Sequence, residues 1–170
     1  MNLWHDLPAG EKSAINVVVE INKGSKNKYE VDKATGLIAL DRVMHSSQDF
    51  PADYGFVPQT LWEDNDPVDV IILTTYPLLP GILVRVRPVA VMHMTDGGEG
   101  DDKLIAVPRW SKVQDLADIN SHTLKEFEHF YSTYKKLQNK EVVVKGFSGR
   151  TEAEAVFERG CQLYKERPAH

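Results

Sequence analysis

Between residues 14 and 108 apolar and polar positions alternate with a period of two, the pattern of half-buried strands. In Ile15-Asn16-Val17-Val18-Val19-Glu20-Ile21 the odd positions form one apolar face, and Glu20 shares the opposite face with Val18. Tyr29 and Val31 point one way while Lys28 and Glu30 point the other. Asp32-Lys33-Ala34-Thr35-Gly36 reads as a hairpin turn, its glycine free to take positive φ. The next strand, Leu37 to Met44, places Leu40 and Arg42 together. Further strands are predicted over Val68 to Thr74, Ile82 to Met94 and Lys103 to Val107, the last two joined by a Gly/Asp-rich loop.

The period then changes. Leu124, Phe127, Phe130, Tyr131 and Tyr134 recur at three- and four-residue spacing, which predicts a helix capped near Asn120-Ser121. Glu141 to Lys145 is short and valine-rich, a last strand. Thr151-Glu152-Ala153-Glu154 fits a capping box and predicts a final helix running towards Tyr164. Many short strands followed by two helices give a mainly β, α+β chain: a small barrel or curled sheet flanked by helices. No repeat and no Pro/Ser-rich linker interrupts it, so residues 1–170 are expected to form one domain.

Composition narrows the function classes. A chain of 170 residues is long enough to bury roughly 70% of its unfolded surface. Its 25 acids against 20 Lys and Arg leave a net charge of −5, the wrong sign for coating a nucleic acid. Cys161 is the single cysteine, so no intrachain disulfide is possible, and a buried structural thiol is expected. The start carries no basic segment followed by an apolar run, and no apolar stretch approaches membrane-spanning length. A cytoplasmic protein with no membrane or nucleic-acid partner is the expectation.

The acids cluster. Asp64-Asn65-Asp66-Pro67-Val68-Asp69 holds three aspartates in six residues, and Pro67 keeps Asp66 out of the helical region. In an extended chain Asp64 and Asp66 lie on one side, roughly 7 Å apart, within reach of one cation or of two neighbouring ones. An EF-hand does not fit, because Val68 and Asp69 occupy the positions that need a ligand and a glycine. The second cluster runs from Asp96 to Lys103, with glycines that let the backbone fold around a ligand. Glu20 and Glu30 add carboxylates; Lys28, Arg42, Lys103 and Lys135 add cations. Carboxylates for Mg²⁺ beside Lys and Arg for phosphate oxygens describe a phosphoryl-transfer site. Spacing alone does not say whether these segments meet.

Other chemistries lack their signatures. His122 and His129 are seven residues apart on a helix, separated by roughly 10 Å of rise, too far for one metal. No phosphate-binding glycine loop and no GxSxG elbow occurs. A single-strand-binding module would need a basic groove with stacking aromatics, whereas these aromatics fall mostly at helical spacing. A hydrolase of nucleotides or other phosphate esters stays open, though no base-recognition motif is present.

Taken in order, Glu20, Lys28-Tyr29-Glu30, Asp41-Arg42, Asp53-Tyr54-Gly55-Phe56, Asp64-Asn65-Asp66-Pro67-Val68-Asp69, Asp96 to Lys103 and Tyr134-Lys135 resemble the family I soluble inorganic pyrophosphatases of the short prokaryotic type. The resemblance runs from about Ile15 to Lys145 and implies a five-stranded OB-like barrel with helices, assembled as a hexamer. It implies hydrolysis of pyrophosphate to two orthophosphates, with several Mg²⁺ per site and Mn²⁺ or Zn²⁺ as substitutes. Carried over by position, Asp64, Asp69 and Asp101 resemble ligands of two activating Mg²⁺, and Asp66 the general base for a water bridging them. Asp96 and Asp101 resemble the pair holding a further Mg²⁺ that arrives with substrate. Glu20 and Glu30 resemble acids that contact substrate-side metal through water. Lys28, Arg42, Tyr54, Lys103, Tyr134 and Lys135 resemble the residues that hold the phosphate groups. Phe50 stands before Pro51 where many relatives carry tyrosine, and it lacks the hydroxyl.

Overall fold

The computed structural model describes residues 1–168; residues 169 and 170, included in the single-domain expectation, lie outside the described residues. In chain order the strands are β1 (Gly10–Glu11), β2 (Ala14–Ile21), β3 (Asn27–Val31), β4 (Ile38–Val43), β5 (Asp53–Phe56), β6 (Asp69–Ile72), β7 (Leu83–Asp96), β8 (Glu99–Gly100), β9 (Lys103–Pro108) and β10 (Val142–Ser148). The helices are α1 (Ser121–Thr133) and α2 (Arg150–Glu166). Strands β2, β5, β6, β9 and β7 pair in that sequence, and β7 pairs back onto β2, closing a five-stranded ring. The ring is the OB-like arrangement, with β6 and β9 its parallel pair. Hairpin β3–β4 forms a separate two-stranded sheet.

The ring strands bury both faces. Val70 and Ile72 of β6 pack with Leu104 and Ala106 of β9 against Ala153, Val156 and Phe157 of α2. The alternate residues, Ile71, Ile105 and Val107, pack with Phe127, Phe130, Tyr131 and Tyr134 from α1 and its end. Each fully buried Val, Ile or Leu contributes about 1.5–3 kcal/mol, so these two helices are held by the ring rather than by helix propensity. Asn120 caps α1 through its side chain, which accepts from His122 N.

Three local readings change. A bulge separates Val19 and Ile21, leaving Glu20 as the unpaired extra residue of β2. Ile15, Val17 and Val19 therefore join the α2 cluster, while Ile21 crosses to the α1 cluster. A second bulge makes Asp41 the extra residue of β4, so Leu40 and Arg42 pair with consecutive residues Tyr29 and Lys28. Thr151 does not cap α2: the N-cap is Gly149, and the Asp115 side chain accepts from Arg150 N at 3.0 Å instead. Cys161 lies in α2 half-buried, beside the α2 cluster, and burial raises its thiol pKa. Gly55 is required by a close approach, since a Cβ there would sit 2.2 Å from the Val18 carbonyl oxygen.

Candidate active site

The loop entering β6 sets the first acids. Trp62 N donates to Asp66 O, Asn65 N to Trp62 O, and Asp66 N to Asp64 Oδ1 at 3.2 Å. Asn65 takes a left-handed φ of 64°, which amide side chains tolerate better than most. Asp64 and Asp66 both line one cavity, and beyond burial and Asp69, repulsion from Asp66 helps to raise the Asp64 pKa. Asp64 joins Asp69 and Asp101, and one carboxylate oxygen from each lies within 4.8 Å of the others. Asp66 is half-exposed and pairs with Lys33 Nζ at 2.7 Å.

Asp69 opens β6 directly across the parallel ladder from Lys103. The Lys103 side chain is 2% exposed, and its ammonium donates to Tyr54 Oη at 2.9 Å, Asp69 Oδ2 at 3.0 Å and Asp101 Oδ1 at 3.2 Å. Burial would lower its pKa, but Asp101 and Asp69 outweigh that and raise it. Burial, then repulsion from Asp69, raises Asp64 to about 6. Burial, opposed by Lys103 and reinforced by Asp101, raises Asp69 to about 7. Asp101 is raised, chiefly by burial. Three partly to fully buried carboxylates this close, sharing one lysine, fit a hard divalent cation such as Mg²⁺.

Glu20 is buried, and its Oε2 accepts from Val31 N at 2.8 Å, tying β2 to the hairpin. Burial and then Asp69 raise its pKa. Lys28 pairs with Asp41 at 3.1 Å and Glu30 at 3.2 Å; burial opposes its charge, and these acids restore and raise it. Lys135 is ion-paired with Asp96, while burial lowers its pKa. Tyr134 closes α1, and burial raises its hydroxyl pKa. Phe50 is buried with its ring 5.0 Å from Phe130 and 6.1 Å from Tyr54, so that position supplies packing without a hydroxyl.

Glu20, Lys28, Glu30, Tyr54, Asp64, Asp66, Asp69, Asp96, Asp101, Lys103, Tyr134 and Lys135 line one cavity of about 630 Å³. Arg42 does not line it, although its charge lies near enough to oppose the rise in the Lys28 pKa and to add to the fall in that of Lys135. Sequence reasoning missed Asp32 and Lys33, which also line the cavity, as does Glu99 of the second acidic cluster. Nothing in the spacing marks Lys33, because its partner Asp66 lies 33 residues away across the fold.

A closed β-ring with a carboxylate triad facing convergent lysines suits metal-assisted chemistry on a phosphorylated anion. The family model for inorganic pyrophosphatase matches residues 17–165. The chain is 47% identical over 169 residues to a soluble inorganic pyrophosphatase of Zea mays, covering 96% of this chain and 79% of that protein. It is 48% identical over 153 residues to an inorganic pyrophosphatase of Leifsonia xyli subsp. xyli, covering 87% of this chain and 94% of that one. The crystal structure of inorganic pyrophosphatase from Thermus thermophilus superposes with a TM-score of 0.92 at 41% identity, over 97% of this chain and 99% of that one. This chain belongs to the inorganic pyrophosphatase family. Among the described residues no helix is long and apolar enough to cross a membrane.

Proposed function

We propose that the chain hydrolyses inorganic pyrophosphate to two orthophosphates by direct in-line attack of water, in dependence on Mg²⁺. One observation carries this reading: the close-set carboxylates of Asp64, Asp69 and Asp101 share a cavity with Lys28, Lys103 and Lys135. Asp64, Asp69 and Asp101 would hold two activating ions, Asp96 with Asp101 a further ion that arrives with substrate, and Glu20 and Glu30 would contact substrate-side metal through water. When bound, Mg²⁺ lowers the pKa of water and neutralises phosphoryl oxygens. Mn²⁺ or Zn²⁺ would be substitutes able to supply Lewis-acid chemistry of the same kind.

Asp66, half-exposed on the cavity wall, takes the proton of the attacking water. Lys28, Lys103, Lys135 and Arg42, with the hydroxyls of Tyr54 and Tyr134, hold and neutralise the phosphate groups. No covalent phospho-enzyme is formed. The reading also takes residues 1–170 as one domain, the assembly as a homohexamer and the location as the cytoplasm, in keeping with the family resemblance.

Phosphate release from pyrophosphate, with and without Mg²⁺, tests the assignment. Wild type is expected to require Mg²⁺, and Asp66→Asn to lose about 10²–10⁴-fold, the usual contribution of a general base. Metal-independent hydrolysis sinks the Mg²⁺ requirement, and full activity in Asp66→Asn removes the base from that position.

A further inference from the structure

The segment carrying Asp101 interrupts the regular strand pairing for two residues, although Asp101 N still donates to Met94 O at 2.9 Å. Hairpin β7–β8 ends with Thr95 opposite Gly100, and β9 begins with Lys103 opposite Met92. Asp101 and Asp102 fill the gap opposite Met94 and His93, outside either strand. Here Met94 N donates to the Asp102 side chain, Oδ1 at 3.3 Å. The other flank of β7 is irregular at the same level: β10 bulges between Val144, opposite Met94, and Gly146, opposite His93.

The His93 ring joins the two flanks. Its Nδ1 lies 3.1 Å from Asp102 Oδ2, and its Nε2 lies 2.7 Å from Ser148 Oγ on β10. A carboxylate only accepts, so Nδ1 carries the hydrogen, and in the neutral ring Nε2 accepts from the Ser148 hydroxyl. Asp102 is thus held by both oxygens, and its neighbours Asp101 and Lys103 are the buried residues that meet at the carboxylate triad.

We propose that His93 is a positioning residue for metal binding, fixing Asp102 and through it the direction in which Asp101 projects. This rests on the reading of Asp101 as a metal ligand. Groups that orient a ligand without touching the metal typically set its affinity by about 10- to 100-fold.

The test is Mn²⁺ binding to the substrate-free full chain, followed by electron paramagnetic resonance and calorimetry, with thermal melts as a check on folding. His93→Phe, which removes both hydrogen bonds, is expected to weaken Mn²⁺ by about 10- to 100-fold. His93→Asn restores an N–H near the position of Nδ1 and is expected to recover affinity to within about threefold of wild type, a rescue that a space-filling role would not produce. Should His93→Phe fail to fold, His93→Ala is read in its place. Asp101→Asn separates the two layers. If it binds Mn²⁺ as wild type does, the ligand assignment fails. If it loses Mn²⁺ while folded His93→Phe or His93→Ala keeps it, the positioning role of His93 is overturned. Specific labelling of Ser148 by a fluorophosphonate would also overturn it, by making the Asp102–His93–Ser148 chain a nucleophile relay.

Discussion

The wall formed by β6 and β9 and the wall formed by hairpin β3–β4 bring charge to the same cavity by different means. Asp69 and Lys103 are ladder neighbours inside a closed ring, backed by Ile71, Ile105 and the aromatics of α1. Their charges are compensated within hydrogen-bonding distance, because a buried ion left unpaired is costly. Lys28 and Arg42 stand directly opposite each other on a two-stranded sheet outside the ring. Like charges in that register are unfavourable, and the ion pairs of Lys28 with Asp41 and Glu30 offset them. The hairpin also leaves Leu37, Leu40 and Val43 more than half exposed. Charge that must stay buried is fixed by the ring. Lys28 brings its charge to the same cavity from an element with fewer restraints.

Lys103→Met is the strongest test of that contrast. Removing one partner of a buried ionic cluster costs about 3–5 kcal/mol, and each kcal/mol is worth about 2–4 °C of melting temperature in a chain of this size. The metal-free variant is expected to melt far below wild type near pH 8, with Mg²⁺ recovering part of the loss. Equal melting temperatures would mean that Lys103 does not compensate the triad. Lys28→Met should behave differently: a melting temperature close to wild type, but a KM for pyrophosphate raised by about 10-fold or more, as for a lost hydrogen bond to a charged group. A large drop in stability there would erase the distinction between the walls.

A third effect is one of pH. Asp64 at about 6 and Asp69 at about 7 titrate above their unfolded value of 3.8, so the native state binds more protons than the unfolded chain between these limits. Metal-free stability should therefore fall as pH rises from about 4 to about 7, and Mg²⁺ should flatten the slope by replacing the protons. Thermal melts across this range in chelator and in Mg²⁺ measure it; a rising metal-free curve would contradict the raised carboxylate values.

Local order was legible where one segment determines it. The hairpin turn at residues 32–36, the Asn120 cap and the aromatic stripe of α1 each follow from neighbours in sequence. The failures occurred where a distant residue intervenes. Asp115 caps α2 from 35 residues away, displacing Thr151. Bulges at Glu20 and Asp41 shift pairing without altering the apolar alternation that was read. In the acid loop, spacing brings Asp64 and Asp66 to one site, and both do line the cavity; what it does not show is that Asp64 also closes on Asp69 and Asp101. Bringing Asp101 there takes the β6–β9 crossover, which no local pattern encodes. The family resemblance already grouped these three acids, and it did so without a geometric reason.

Closure of the ring also bears on how this chain behaves in a crowded solution. Exposed strand edges template pairing between molecules, and a ring has none of its own. The main sheet path ends at β1, only two residues long, and at β10. On β10 the bulge leaves exposed Lys145 as its extra residue, followed by Gly146 at a φ of 134°. A kink and a lysine on the same strand are both recognised defences against edge-to-edge association. The valine-rich segment that reads as the most adhesive part of the C-terminal region is thereby made a poor template for fibrils.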